Sequence, residues 1–300
     1  MSKAFKLKPV VKSYIWGGQY FQQFGKSDLD VVSELWELSV RGENSSLICS
    51  GNNTRKRLDE VINAKMLGPC AERFSYFPLL IKLIDAKEDL SVQVHPSDEY
   101  ALKNENSFGK SEMWHIISCD EHAGLYIGLK QDSSKEDVEK RLKEGTILEA
   151  LNFVEVKPGD TYLINPGTIH AIGKGVRLIE IQQNSDLTYR LFDYNRVGVD
   201  GKPRQLHIEK ALDVINYKKY VLNKNQSSLL ADNQYFKVQR IEIKDKLVLK
   251  ANNGSFMSFT FLKGNGFVDD ISYQQFDTFF LPYGEECTIK GEATIILSEV

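Results

Sequence analysis

Apolar positions along this chain fall in short runs closed off by Gly, Pro, Asn or Asp. Such runs predict strands at residues 79–84, 91–94, 114–118, 125–129, 153–156, 161–164 and 177–182. In the last third they predict strands at 236–243, 247–251, 255–262, 278–281 and 293–297. Short strands at this spacing predict an all-β dominated fold of sandwich or barrel type, β with minor α. Four segments break the pattern. Residues 54–64 and 97–104 read as short helices, the second opened by Pro96, Ser97 and Asp98 in the manner of an N-cap. In 134–144, Ser133 or Ser134 can cap, acids fill the first turn, and Gly145 ends the helix. The fourth helix candidate is 207–214. The stretch 217–233 is polar and predicts a linker, dividing a domain at 1–216 from a smaller all-β domain at 232–300.

Composition narrows the function classes. The 300 residues carry 38 Lys plus Arg against 41 Asp plus Glu. That balance argues against a nucleic-acid binder, which needs a basic excess. The basic run Thr54-Arg55-Lys56-Arg57 reads as a solvated helix start. No apolar run approaches a membrane span, and the charged N-terminus lacks the apolar core of a signal peptide. The scattered Cys49, Cys70, Cys119 and Cys287 contain no CxxC pair and read as reduced thiols of a cytoplasmic protein.

Candidate chemistry lies in four places. In Ser91-Val92-Gln93-Val94-His95-Pro96, Gln93 and His95 are two apart on a strand and project to one face. They form half of a metal site or, alternatively, a half-buried His beside a polar neighbour. Glu112 heads the next strand and supplies a carboxylate. Lys110 is two residues earlier on the same face if the chain is extended, whereas His115 faces away and reads as structural. The third place, 156–171, reads as turn, strand, tight turn and then His170. With Gly159 and Gly167 it is similar to the second signature of cupins, Asn165 standing where many cupins have Pro. In the fourth, Glu180 and Gln182 share a face opposite Ile179 and Ile181, so Glu180 points inward if the isoleucines pack against another layer. A buried carboxylate there needs a partner. Arg190 follows a turn-like Asn184-Ser185-Asp186. His122 and His207 show no partner pattern.

Taken in order, these motifs resemble the type I mannose-6-phosphate isomerases, zinc-dependent cupins. Further matches are Tyr14-Ile15-Trp16-Gly17-Gly18, Ser33-Glu34-Leu35-Trp36-Glu37 and Phe77-Pro78-Leu79-Leu80-Ile81-Lys82. The resemblance runs from about residue 5 to 215, the C-terminal β region fitting the family's second jelly roll. It implies two cupin-type jelly-roll β-barrels with a few short helices, in a short form without the large helical insertion of longer members.

The resemblance also implies the site. One zinc ion per chain would be held by Gln93, His95, Glu112 and His170, with Gln93 a weak or outer ligand. Arg190 is the implied catalytic arginine, Lys110 the active-site lysine, and Glu180 an active-site carboxylate. Ile172 stands where many longer members have Tyr. The implied reaction interconverts mannose 6-phosphate and fructose 6-phosphate through a cis-enediol. Glu180 and a metal-bound hydroxide are alternative bases, and the phosphate-binding residues are unassigned. The implied partner is a small-molecule sugar phosphate, with neither nucleic acid nor membrane, on a monomer or homodimer. Rival readings on the same scaffold are a non-haem iron oxygenase, which has no need of Lys110 or Arg190, and a non-catalytic sugar-phosphate-binding cupin.

Overall fold

Alternating burial along the strands sorts the side chains into layers. The computed structural model describes residues 3–198 and 201–300; Met1, Ser2, Val199 and Asp200, which belong to the expected first domain, lie outside the described residues. Among the described residues four antiparallel sheets form the framework of the fold, and none of them closes on itself. The first sheet runs Lys224–Asn225, Thr161–Ile164, Glu112–Cys119, Val176–Gln183, Leu79–Ala86, Glu34–Leu38, Val10–Lys12. The second runs Tyr189–Phe192, Val92–Val94, His170–Ile172, Gly124–Leu129, Leu151–Glu155. Their facing sides share one apolar cluster, with Ile84, Trp114 and Leu178 from the first sheet against Leu125, Ile127 and Ile172 from the second.

Successive residues of a strand point to opposite faces, so the other side of the first sheet presents Leu83, Met113, Ile179 and Ile181. These pack with Leu7, Val238 and Phe280 of a third, C-terminal sheet and with Phe256 just before one of its strands. A fourth sheet covers that one through Leu249, Val268 and Ile289. The outer side of the second sheet, with Val92, Val94 and Ala171, is covered by the helices Lys135–Glu144 and Ile208–Val214. The isoleucines at 179 and 181 thus face another layer, as the alternation required of an inward Glu180.

The expected strands appear where the apolar runs lie, with ends shifted by up to two residues. Ser134 caps its helix by accepting the Asp137 N–H, and Gly145 closes it at φ +72°. Residues 54–64 are not one helix. Arg55 stands at φ +74°, and the backbone of 55–57 pairs with Leu47 and Ile48. Only the short turns Leu58–Glu60 and Ala64–Leu67 coil, because strand-like hydrogen bonds occupy the groups a helix would need. The polar stretch 217–233 contains two short strands, Lys224–Asn225 and Leu229–Asp232, at the edges of the first and third sheets. Polar side chains suit an edge strand, where one side meets water. Strand pairing also crosses the expected division. Phe5–Lys8 pairs with Thr278–Leu281 and with Leu47–Ile48 in the C-terminal sheet. Among the described residues no helix is long and apolar enough to cross a membrane, and all four cysteines are free.

Candidate metal centre and active site

Between the first two sheets the inner-facing side chains change character along each strand. Ile84, Ile116 and Leu178 are apolar at one end. Lys82, Glu112, Glu180 and Gln182 are buried and polar at the other. Antiparallel register sets these polar groups side by side. Glu180 lies directly opposite Lys82 on one neighbour and Trp114 on the other, and Gln182 lies opposite Glu112. On the facing sheet, His170 is opposite Gln93, and Gln93 is opposite Arg190.

His95, Glu112 and His170 converge, with ligand atoms all within 4.8 Å of one another and every residue buried. His170 Nε2 is 3.3 Å from Glu112 Oε1, and His95 Nε2 is 3.7 Å from Glu112 Oε2. The other ring nitrogens determine the tautomers. His95 Nδ1 meets the Leu187 carbonyl at 3.0 Å and His170 Nδ1 meets the Thr168 carbonyl at 2.8 Å. A carbonyl only accepts, so each Nδ1 carries the hydrogen and each Nε2 presents a lone pair in the neutral ring. Burial, then the Lys110 charge, pulls the His95 imidazole down to about 3, and burial likewise lowers His170. Both rings are therefore neutral at pH 7. Neither Nε2 has a hydrogen-bond partner. Burial alone would raise the Glu112 carboxyl, but the Lys110 ammonium beside it holds it well below the usual range. Two lone pairs and a carboxylate aimed at one dry point repel one another unless a cation lies between them. The residues fit a divalent metal, and the donor set of two N and one O matches an open catalytic site.

Charges around the triad are paired. Lys110 Nζ is 2.7 Å from Glu112 Oε2 and 3.7 Å from Glu180 Oε1. Lys82 Nζ is 3.0 Å from Glu180 Oε1 and 3.8 Å from Glu34 Oε2. Trp114 Nε1–H donates to Glu180 Oε2 at 2.9 Å, and Trp36 Nε1–H donates to Glu34 Oε2 at 2.6 Å. Burial, and after it the Glu112 charge, raises the Glu180 carboxyl. Burial alone would lower the Lys82 ammonium, yet Glu180 and Glu34 push it up.

A cavity of about 210 Å³ opens beside this cluster. Gln93, Lys110, Glu180 and Arg190, all singled out in the sequence, line it, together with Lys82 and Arg204. Ile172 adds an apolar wall. Arg190 is held from behind. Its backbone N–H donates to His207 Nδ1 at 3.2 Å, and its carbonyl accepts the His207 N–H at 2.8 Å. His115 is remote from the triad, bonded to Thr161 Oγ1 at 2.8 Å, and His122 is exposed beside Glu155.

Two basic residues of the cavity carried no assignment in the sequence reading, Lys82 and Arg204. Lys82 ends a matched run, and its inward direction follows from the alternation of Ile81 and Leu83. Its partner Glu180 is 98 positions away, a pairing that only strand register reveals. Arg204 lies beyond the last motif, on a loop without periodicity.

The family profile described as phosphomannose isomerase type I, catalytic domain, matches residues 4–113. Mannose-6-phosphate isomerase ManA of Bacillus subtilis is 35% identical, with 98% of each chain covered. Probable mannose-6-phosphate isomerase GmuF of the same organism is 41% identical over 72% of this chain and 69% of its own. The crystal structure of the mannose 6-phosphate isomerase from Bacillus subtilis superposes with a TM-score of 0.89, at 32% identity and covering 100% of both chains.

Proposed function

The chain belongs to the type I mannose-6-phosphate isomerase family and is an isomerase of that class, and on that premise we propose a zinc-dependent interconversion of mannose 6-phosphate and fructose 6-phosphate through a cis-enediol(ate). One zinc ion per chain is held by His95, Glu112 and His170, with Gln93 as a fourth or outer ligand. When bound, such an ion supplies Lewis-acid polarisation of the sugar oxygens, a contribution of several kcal/mol. The observation that carries this reading is the pair of buried, neutral imidazoles whose lone pairs converge on the Glu112 carboxylate.

The chain's own residues supply the rest. Moving a proton between C2 and C1 requires a group that can accept and return it. In this reading Glu180 is that group: burial, and after it the Glu112 charge, makes its carboxyl more basic than an ordinary carboxylate, and Trp114 holds it. Lys110 and Lys82 neutralise its charge. Arg190 presents its buried, unpaired Nε–H toward developing negative charge on the substrate. The walls of Trp36 and Ile172 limit water in the cavity. A non-haem oxygenase would not call for two lysines on the buried Glu112–Glu180 pair and an arginine lining the same cavity.

In the same reading the two pairs of facing sheets are two cupin-type jelly rolls. The first belongs mainly to 1–216 and the second mainly to 232–300. The enzyme works in the cytoplasm as a monomer or homodimer. The test is conversion of mannose 6-phosphate to fructose 6-phosphate by the purified protein as isolated, after chelation, and after zinc is restored. Activity lost to the chelator and regained with zinc is the expected result. A folded, zinc-loaded protein without turnover would overturn it.

A further inference from the structure

We propose that Arg204, locked in place by Asp193, is the residue that seats the substrate's phosphate. The proposal rests on the isomerase reading for the identity of the substrate, but the anion seat itself rests on charge and geometry. Two guanidinium groups, those of Arg196 and Arg204, grip the buried carboxylate of Asp193, and a third, that of Arg190, is near enough to feel the charges of Asp193 and Arg204. Arg204 grips Asp193 side-on, Nε to Oδ2 at 2.7 Å and Nη2 to Oδ1 at 2.6 Å. Arg196 Nη2 takes Oδ1 from the other direction at 2.5 Å, and its Nη1 is tied to the Asp89 carbonyl. Asp193 thus has two cations of its own. Arg190 is left with only a long contact from Nη1 to the Gln205 carbonyl, 3.4 Å, and its Nε has no partner.

Three positive charges against one negative leave a local excess of two. That excess faces a cavity lined by Arg190 and Arg204, and the cavity's carboxylates are already paired, Asp186 with Arg41, and Glu34 and Glu180 with Lys82. Like charges this close are tolerated where an anion completes the set, and a phosphate monoester near neutral pH carries a charge of about −1.5 to −2. Side-on engagement of Nε and Nη2 also leaves Nη1 of Arg204 without a hydrogen bond to any described residue, so the guanidinium keeps donors for a second anion. Tyr14 lines the same cavity and feels the charges of both Arg190 and Arg204, and it adds a neutral hydroxyl donor there.

Placement agrees with the chemistry. Along the second sheet the inward row runs from His170 through Gln93 to Arg190, two strand spacings or roughly 10 Å. Arg204 lines the cavity with Arg190, near enough for their charges to interact, and Arg190 is the far end of that row from His170. A hexose 6-phosphate reacts at C1 and C2 and carries its anion at the far carbon, so metal and phosphate seats belong at opposite ends of the cavity. Asp193 is a positioning residue in this arrangement. It touches no substrate, and it fixes the direction of the Arg204 fork.

The test uses zinc-loaded protein and inorganic phosphate as the probe, followed by titration calorimetry. Arg204→Gln is expected to weaken phosphate binding by about tenfold or more, the size of one lost charge-assisted contact. Arg204→Lys keeps the charge without the fork and should fall between the two. Asp193→Asn keeps every arginine and should weaken phosphate binding because Arg204 loses its anchor. Lys174→Ala, which removes an exposed cation paired to Glu88, serves as the charge control and should change nothing. In turnover, Arg204→Gln should raise KM for mannose 6-phosphate in parallel while kcat stays within about threefold, the pattern of lost uniform binding. Phosphate binding unchanged in folded Arg204→Gln, or in Arg204→Lys if the first variant does not fold, would overturn the seat. Wild-type protein that binds phosphate through Arg204 yet turns over no mannose 6-phosphate would refute the isomerase reading and leave the anion seat standing.

Discussion

Glu180 owes its charge state to neighbours that a single substitution can remove. Lys82→Met deletes the ammonium 3.0 Å away, and both side chains are nearly buried. Breaking a buried pair from one side costs about 3 kcal/mol or more, because the remaining charge is stranded. The midpoint of urea unfolding should drop accordingly, and kcat should fall with it. An undiminished midpoint would mean that Glu180 is carried by Lys110 alone. Arg190→Ala should lower kcat by about a hundredfold or more if its Nε–H meets developing charge. A rise in KM with kcat intact would place Arg190 in binding instead. For the triad, Glu112→Gln should abolish zinc uptake measured by metal analysis. In the wild type, zinc at a hundred times its dissociation constant should add about 2.7 kcal/mol of stability in thermal melts, a gain absent from the variant. At this scale the sequence was informative wherever residue type and spacing suffice. Gln93 and His95 two apart, Glu112 at a strand start and His170 after a Gly turn all reach the cavity or the triad. Lys82 and Arg204 went unassigned because their partners, Glu180 and Asp193, become neighbours only through strand register and loop folding.

At the scale of elements, the turn between residues 164 and 170 delivers His170. Gly167 stands there at φ +84°, its N–H donating to the His95 carbonyl at 2.9 Å, and an added Cβ would meet the Val214 carbonyl oxygen at 3.0 Å. One glycine therefore couples the strands bearing two of the triad's members. Gly167→Ala should cost about 1–2 kcal/mol from the left-handed backbone alone and should loosen zinc binding, read as a raised zinc dissociation constant. The helix Lys135–Glu144 is a simpler case. Ser134 accepts the Asp137 N–H at 3.2 Å, and its loss in Ser134→Ala should cost about 1 kcal/mol without touching activity. That helix and its caps were readable because all of its signals are local. The stretch 54–64 misled for the opposite reason. Its composition permits a helix, but Leu47 and Ile48 compete for its backbone groups from a neighbouring strand.

In the whole molecule, the first and third sheets are joined by apolar packing and by one buried ionic group. Glu37 lies 3.2 Å from Lys26, which is also 3.6 Å from Asp277 of the C-terminal region. Burial pushes the Glu37 carboxyl up to about 7 against the opposing pull of Lys26. A carboxyl that holds its proton more tightly when folded favours the fold below the unfolded pKa near 4.5, and that advantage is lost as pH rises through 7. Wild-type stability relative to Glu37→Gln should therefore fall by about 3 kcal/mol between pH 4.5 and 8, measured as urea midpoints at several pH values. A difference that is flat with pH would mean that Glu37 is ionised throughout. Strand runs, the one well-capped helix and the order of the site motifs were determined by the sequence itself, since alternation, capping and short spacings act within a few residues. The layering of four sheets, the return of Phe5–Lys8 to the C-terminal sheet, the pairing of Lys82 with Glu180 and the assembly of arginines around Asp193 were decided only in the tertiary structure. Each of them joins residues far apart in the chain, and the hydrogen-bond register and burial that bring them together exist only once the sheets have packed.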